Sequence, residues 1–250
     1  MSLKDKLYLM ISILLFIFGF LLGFSTRNLI QKNIKNEYLN LLETNRTAQI
    51  PLVAVSTNGK GVLEYGYLKI TEGSGKTYIS INPFVEPDTQ YSFEIAKEFI
   101  CKYLKVNCSK YDFILEIDSR SILVGGPSAG ISFAIGIYCA LNNKNVNNLI
   151  ASTGTIDLDG NIGFVGNIIE KAIAAAENNK KYFFIPKGQS IIYTYEKVEE
   201  IKEIFPGFII RSIKYIPKPI NITDEFYKKY NMFVIEVSSF LDLLKYDICL

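Results

Sequence analysis

The 250-residue chain contains no histidine, and its positive and negative charges nearly cancel. Without an imidazole it cannot hold a Ser-His-Asp triad, or any other site in which histidine activates a serine or cysteine. With 27 Lys and Arg against 25 Asp and Glu, the net charge is +2, so the composition does not indicate nucleic-acid binding. A serine nucleophile in this chain needs another base, and a lysine shielded from water is the natural candidate.

Residues 7–24 form a long uncharged run. These eighteen residues have about the minimum length for a helix that crosses the hydrocarbon core of a bilayer. A signal peptide is the alternative, because Lys4 and Lys6 precede the run. However, the run is longer than a usual signal-peptide core, and FSTR follows it in place of a small-x-small cleavage site. We therefore expect an uncleaved single-pass anchor at 1–27, in the lipid bilayer, and a helical stalk at 28–49.

The orientation of this anchor depends on the charges that flank it. Basic residues on the two sides of the run nearly balance, so the positive-inside rule gives no clear direction. The very short N-terminal tail favours an extracytoplasmic domain, and the cytoplasmic face is the alternative. Cys101 and Cys108 could form a disulfide in an extracytoplasmic domain, whereas Cys139 lies in an apolar helical segment and is expected in the core.

Residues 50–250 mix strand-like and helix-like patterns, which predicts an α+β (mixed α/β) domain. The segment GSGKT at 73–77 resembles a phosphate loop, but Ile70 occupies the place of the first Walker glycine and a strand-like stretch follows. We interpret it as a hairpin turn and expect no nucleotide. The predicted strands are 51–57, 61–70, 76–83, 113–117, 122–124, 150–158, 162–165, 182–185 and 233–237, and the predicted helices are 94–104, 131–141, 168–178 and 239–244.

Ser128 lies in the motif GGPSAG at 125–130, a Gly/Pro turn before a helix that is apolar on nearly every side. The motif matches the G-x-S-x-G of α/β-hydrolases, but that fold needs a histidine. Taken alone, the turn fits a helix start capped by Ser128 better than a nucleophile. A helix start also has backbone N–H groups without helical partners, so those of Ala129 and Gly130 could bind the oxyanion of an acyl-transfer intermediate.

Lys171 lies 43 positions after Ser128, in the segment VGNIIEK. The residues three and four positions away on its helix are neutral and mostly small, so no carboxylate on that helix holds the lysine in its charged form. Another element can pack closely against such a face and remove water from the amine. To accept a proton at neutral pH, a lysine pKa must fall from about 10.4 to roughly 7 or 8, which costs the charged form about 4 kcal/mol.

Together, GPSAG, the Thr153-Gly154 pair of STGTI and the stretch GNIIEK resemble the proteolytic domain of Lon-type proteases. The likeness runs without gaps from Gly126 through Pro186. It implies the Lon proteolytic-domain fold, with Ser128 as nucleophile, Lys171 as general base and Thr153 as the hydroxyl that orients the lysine. No cofactor and no metal are implied.

The sequence departs from this family at two positions. Gly125 stands where many Lon enzymes have an acidic residue, and Asn167 replaces a glycine. The GGPSAG and TGTI forms are closer to membrane-anchored Lon-like proteins that lack an ATPase module, and this chain has no ATPase motif. Residues 188–230 form a tyrosine-rich insertion, for which a lid, a subunit contact and a substrate platform are equally open interpretations.

We therefore expect a membrane-anchored, ATP-independent serine endopeptidase that cleaves flexible or unfolded polypeptides. Because Lon-type domains commonly form rings, a homo-oligomer is a further expectation. The alternative is a catalytically silent, membrane-tethered binding module with a Lon-like fold. Gly125 favours this alternative, whereas the intact Ser–Lys pair favours the enzyme.

Overall fold

The computed structural model describes residues 46–250. The predicted anchor and residues 28–45 of the predicted stalk lie outside the described residues. The last four residues of that stalk, 46–49, are not helical but begin the first strand, because Ala48 and Ile50 point into the apolar core. Within 46–250, no helix has the length and apolarity needed to span a bilayer.

Groups of one to four strands are separated by single helices along the described chain, which confirms the predicted mixed α/β class. The strands are β1 (Arg46–Val55), β2 (Gly61–Glu72), β3 (Thr77–Ile79), β4 (Phe84–Val85), β5 (Tyr111–Asp118), β6 (Leu123–Val124), β7 (Ile150–Ser152), β8 (Thr155–Ile156), β9 (Ile162–Gly163), β10 (Tyr182–Pro186), β11 (Ile191–Phe205), β12 (Phe208–Asn221) and β13 (Phe233–Val237). The helices are α1 (Pro87–Leu104), α2 (Gly130–Leu141), α3 (Ile168–Glu177), α4 (Ile222–Tyr230) and α5 (Phe240–Leu243).

The larger sheet has the strand order β1-β2-β5-β3. Its first three strands are antiparallel, whereas β3 runs parallel to β5. The prediction of a hairpin turn at 73–77 is therefore wrong, because β5 lies between the two strands that this loop connects. The carboxylate of Asp112 accepts hydrogen bonds from the N–H groups of Ser74 and Lys76, at 2.8 and 2.9 Å, and so holds the loop across the end of β5.

Helices α1 and α2 pack against each other and cover the larger sheet. Helix α2 is buried along almost its whole length, as its uniformly apolar sequence predicts. Phe93 of α1 contacts Phe133 of α2 edge to face, with 5.2 Å between the ring centroids. Helix α1 begins seven residues before the predicted start, because Pro87 occupies the first turn, where a missing N–H costs nothing.

The smaller sheet is parallel, with the order β13-β10-β7, and packs with α3 and α4 into a second apolar cluster. The predicted strand 150–158 is divided at Thr153-Gly154. There the N–H of Thr153 donates to the carbonyl of Phe184, and the N–H of Gly154 donates to the carbonyl of Ser128. The chain leaves the smaller sheet at this point and continues into the β8–β9 hairpin, which brings Thr153 beside Ser128.

The insertion at 188–230 consists of the antiparallel ribbon β11–β12 followed by α4. Among residues 46–250, the two strands of the ribbon pair with no other strand, and most of their side chains are exposed. At the tip, the rings of Phe205 and Phe208 stack with centroids 4.9 Å apart. The base of the ribbon, at Ile192 and Ile220, packs against the second apolar cluster.

Two disulfides cross-link the domain. Cys101 at the end of α1 is bonded to Cys108, a pairing that the sequence left open. Cys139 of α2 is bonded to Cys249 near the C-terminus, across 110 positions of the chain. Cys139 is also fully buried, as predicted, but its bond to Cys249 was not foreseen from the sequence.

Candidate active site

Ser128 lies on a single 3-10 turn, Pro127–Ala129, that leads directly into α2. Gly126 enters the turn with φ of 99°, a conformation that favours glycine. Helix α1 fixes the turn from below, because the hydroxyl of Thr89 donates to the carbonyl of Gly126 and that of Ser92 donates to the carbonyl of Pro127, both at 3.0 Å. The serine is thus presented on a backbone that is held by neighbouring side chains.

Lys171 reaches Ser128 from α3. Its Nζ lies 2.8 Å from Oγ of Ser128 and 3.2 Å from Oγ1 of Thr153. The three predicted residues, which come from three separate segments of the chain, therefore form one hydrogen-bonded cluster. Thr153 is fully buried, and its hydroxyl also lies 3.3 Å from the carbonyl oxygen of Ser128.

Burial controls the charge of this lysine. Lys171 is 6% exposed, and the loss of water lowers its pKa from 10.5 to about 8. No salt bridge to Lys171 is present among residues 46–250. With a pKa of about 8, about a tenth of the amines are neutral at pH 7, and half are neutral at pH 8.

The backbone around Ser128 affects the two predicted oxyanion donors differently. The N–H of Gly130 donates to the carbonyl of Pro127 and closes the 3-10 turn. In this conformation the N–H of Gly130 already has an acceptor, and its role as an oxyanion donor stays a prediction. The N–H of Ala129, one position closer to the serine, stays a prediction.

The cluster opens into a cleft of about 460 Å³. Its walls come from the ends of β1 and β2, the segment from 121 to 129 and the loop from 164 to 167. Most of the lining is apolar or small, and no residue of the insertion at 188–230 takes part. The lining side chains are Leu52, Val53, Ala54, Val55, Ser56, Val62, Glu64, Thr89, Ile117, Ser121, Leu123, Val124, Pro127, Ser128, Ala129, Phe133, Thr155, Phe164, Val165, Asn167 and Lys171.

Two glycines beside the cluster allow close approaches that sequence reasoning missed. A Cβ at Gly61 would overlap the carbonyl oxygen of Glu170, so this glycine lets β2 touch the backbone of α3 immediately before Lys171. Gly61 is the first residue of the predicted strand 61–70, where a glycine is equally typical of the preceding turn, so nothing in the sequence pointed to this contact. A Cβ at Gly125 would overlap the carboxylate of Glu86, so a carboxylate does lie beside Gly125, although it comes from another segment.

The loop 164–167, which precedes α3, is held by the side chain of Gln189, three residues after the end of β10. The amide of Gln189 accepts from the N–H of Val165 at 3.1 Å and donates to its carbonyl at 2.8 Å. Asn167 then starts α3 with φ of 58°, in the left-handed region that asparagine tolerates. Its replacement of a family glycine is therefore compatible with the backbone.

Comparison with known proteins gives the family of this domain. Residues 96–213 match the Lon protease (S16) C-terminal proteolytic domain. The chain is 29% identical over 212 residues to the Lon protease of Aster yellows witches'-broom phytoplasma. The aligned segment covers 81% of this chain and 25% of that protein. It is 35% identical over 138 residues to the Lon protease of Metamycoplasma arthritidis, which covers 50% of this chain and 15% of that protein.

A third relative is Lon protease 2 of Bacillus subtilis, 33% identical over 106 residues, or 42% of this chain and 18% of that protein. The chain thus spans a quarter or less of the length of these relatives. The match to the family includes Ser128, Thr153 and Lys171, the three residues that the structure brings together. Residues 96–213 of this chain belong to the family of Lon protease C-terminal proteolytic domains.

Proposed function

We propose that this chain is a serine endopeptidase with a Ser–Lys dyad, in which Ser128 is the nucleophile and Lys171 the general base. The observation that carries the proposal is the 2.8 Å distance between Lys171 Nζ and Ser128 Oγ, combined with a lysine pKa lowered by burial to about 8. A base at this distance and with this pKa can take the hydroxyl proton near neutral pH.

In the acylation step, Ser128 Oγ attacks the carbonyl carbon of the scissile peptide bond while its proton passes to the neutral amine of Lys171. The tetrahedral intermediate collapses, the C–N bond breaks, and the lysine ammonium returns the proton to the leaving amine. In deacylation, Lys171 takes a proton from water, the hydroxide attacks the ester carbonyl, and Ser128 leaves with that proton. The base is regenerated after each turnover.

Thr153 directs the lone pair of the lysine. In the neutral state, one N–H of Lys171 donates to Oγ1 of Thr153, and the threonine hydroxyl donates to the carbonyl of Ser128. With that N–H directed at the threonine, the amine can turn its lone pair toward Oγ of Ser128 and accept the serine proton. Thr153 acts through Lys171 and is therefore a positioning residue.

ATP independence is supported by the segment at 73–77. This loop is held by Asp112 and leads into the strand β3, whereas a phosphate loop opens a helix. Without a nucleotide-driven unfolding step, the substrates are flexible or unfolded polypeptides that can enter the cleft as extended chains. A homo-oligomer stays a prediction.

We further propose that the domain is extracytoplasmic and attached to the membrane through residues 7–24. The two disulfides support this location, because disulfides persist in oxidising compartments and are rare in the cytoplasm. The uncharged run of the sequence supports the anchor. Labelling of intact cells that express the chain with a membrane-impermeant amine reagent, with a cytoplasmic marker as control, tests the orientation.

The activity is tested by incubating the full chain with casein in the absence of ATP. Ser128→Ala and Lys171→Met are expected to abolish cleavage. Lys180→Met is the matched control, because Lys180 is also buried with a lowered pKa but donates to the carbonyl of Asn148, away from the serine. Cleavage that survives in Ser128→Ala would contradict the proposal, and a well-folded chain that cleaves nothing would favour the silent binding module.

A further inference from the structure

Glu64 interrupts the apolar face of β2 where that strand enters the cleft. Side chains two positions apart lie on the same face of a strand. On this face Gly66, Leu68 and Ile70 are buried, and the leucine and isoleucine belong to the apolar cluster between the larger sheet and helices α1 and α2. At the next inward position along the face, Glu64 lines the cleft that also contains Ser128 and Lys171. A carboxylate at an inward position breaks the local pattern, and such breaks commonly mark functional positions.

The carboxylate has no cationic partner. Within residues 46–250, no Lys or Arg forms an ion pair with Glu64. Its hydrogen-bond partner is the hydroxyl of Ser119, which donates at 2.5 Å. Burial, and to a smaller extent the charge of Asp118, raise the pKa of Glu64. The site therefore carries part of the cost of a half-buried acid without the compensation of an ion pair.

The proposed reaction does not use this acid. The pKa of Lys171 is lowered by burial, with no contribution from a carboxylate, so Glu64 is not the counterion of the base. Leu52, its direct partner across the β1–β2 ladder, lines the same cleft, as do the apolar side chains of Ile117 and Phe133. A long side chain entering here would meet apolar surface along its stem and a negative charge at its end.

We infer that Glu64 binds a basic side chain of the polypeptide substrate, so that the cleft selects chains that carry Lys or Arg near the cleaved bond. This inference rests on the proposed function. Lys and Arg fit this site because their methylene stems pack on apolar surface while the charged end forms a hydrogen-bonded ion pair with the carboxylate. Charge-assisted pairs of this kind, partly removed from water, are stronger than exposed surface pairs.

The test separates binding from cleavage. Binding is measured by fluorescence anisotropy with the full chain carrying Ser128→Ala, so that the probe is not consumed. The probes are two N-acetylated, C-terminally fluorescein-labelled peptides, Gly-Ser-Ala-Ala-Lys-Ala-Ala-Ser-Gly and its counterpart with norleucine in place of lysine. Acetylation removes the terminal amine, so that the two peptides differ in one side-chain charge. We expect the lysine peptide to bind about tenfold more tightly.

Two variants on that background assign the preference to a residue. Glu64→Gln keeps an acceptor for the hydroxyl of Ser119 but removes the charge, and we expect the ratio of the two dissociation constants to fall to within about twofold. Glu72→Gln is the matched control, because Glu72 is an exposed acid at the far end of the same strand. It should leave the ratio unchanged. Glu64→Lys should reverse the preference toward the same peptide with glutamate.

The outcomes distinguish this inference from the proposed function. An equal affinity for the two peptides, or a preference that survives Glu64→Gln, overturns the inference. Cleavage of both peptides at equal rates by the chain with Ser128 intact also overturns it while supporting the peptidase. Binding that depends on Glu64, in a chain that cleaves neither peptide, supports the inference and counts against the proposed function.

Discussion

Replacing the base with a neutral residue of similar length should stabilise the domain at neutral pH. In Lys171→Met the buried amine, 6% exposed in the structure, is exchanged for an apolar thioether. The charged lysine is disfavoured in the folded protein because burial lowers its pKa. The variant removes that cost together with the proposed base, so a gain in stability and a loss of cleavage are expected in the same protein.

The size and the pH dependence of the gain follow from the two pKa values. A drop from 10.5 to about 8 disfavours the charged form in the folded state by about 3 kcal/mol. Below pH 8 the folded and unfolded chains both bind the proton, so the full cost is present. Between pH 8 and 10.5 the lysine stays protonated only in the unfolded chain, so the free energy of unfolding of the wild type rises with pH. The advantage of Lys171→Met should therefore be about 3 kcal/mol at pH 7 and shrink toward zero near pH 10.5.

The measurement is urea unfolding of residues 46–250, which contain both core clusters, followed by circular dichroism between pH 7 and 10. The difference in free energy of unfolding between variant and wild type cancels the other titrating groups. Ser128→Ala is the control, because it keeps the lysine and should keep the wild-type pH dependence. An advantage that is absent at pH 7, or equal at every pH, would refute the lowered pKa of Lys171.

Three further predictions concern the surroundings of the dyad. Thr153→Val removes the oxygen 3.2 Å from Lys171 Nζ and should lower kcat about tenfold with little change in KM. Thr153→Ser should retain most of the activity. Equal losses of activity in the two variants would contradict the positioning role. Gly61→Ala forces a methyl group against the carbonyl of Glu170, so it should lower the free energy of unfolding by about 1–3 kcal/mol and also lower kcat. An unchanged urea midpoint and an unchanged rate would show that the contact is unimportant. Replacement of residues 196–216 by a short glycine turn should change the free energy of unfolding by less than about 1 kcal/mol, because these residues belong to neither apolar cluster. A larger loss of stability in urea unfolding would show that the ribbon supports the fold.

The dyad was predictable because its residues lie in three short motifs, GPSAG, STGTI and GNIIEK, whose spacing along the chain resembles that of Lon-type proteolytic domains. Ser128, Thr153 and Lys171 could each be capping, strand or solvated helix residues when taken singly, and only their combination predicts one site. The structure brings the three together through a division of the strand predicted at 150–158. That division was not predictable from the hydrophobic pattern, because apolar and β-branched residues stand on both sides of Gly154.

Features that depend on long-range packing were not predictable. Nothing in the sequence pairs Cys139 with Cys249, which lie 110 positions apart. The inward direction of Glu64 depends on the register of β2 against β1, and a shift by one residue would have turned it to the other face. The loop at 73–77 has a composition typical of hairpin turns, but the insertion of β5 between β2 and β3 is decided by pairing far along the chain.

The central claim, that Lys171 activates Ser128, is tested most directly by covalent labelling of the full chain with a peptidyl fluorophosphonate and mapping of the adduct by mass spectrometry. We predict one adduct, on Ser128, with a rate that rises with pH around an apparent pKa of about 8. The adduct should be lost in Lys171→Met and retained in Lys180→Met. Labelling of Ser128 at the wild-type rate in Lys171→Met, or labelling of another serine such as Ser132 in its place, would contradict the account.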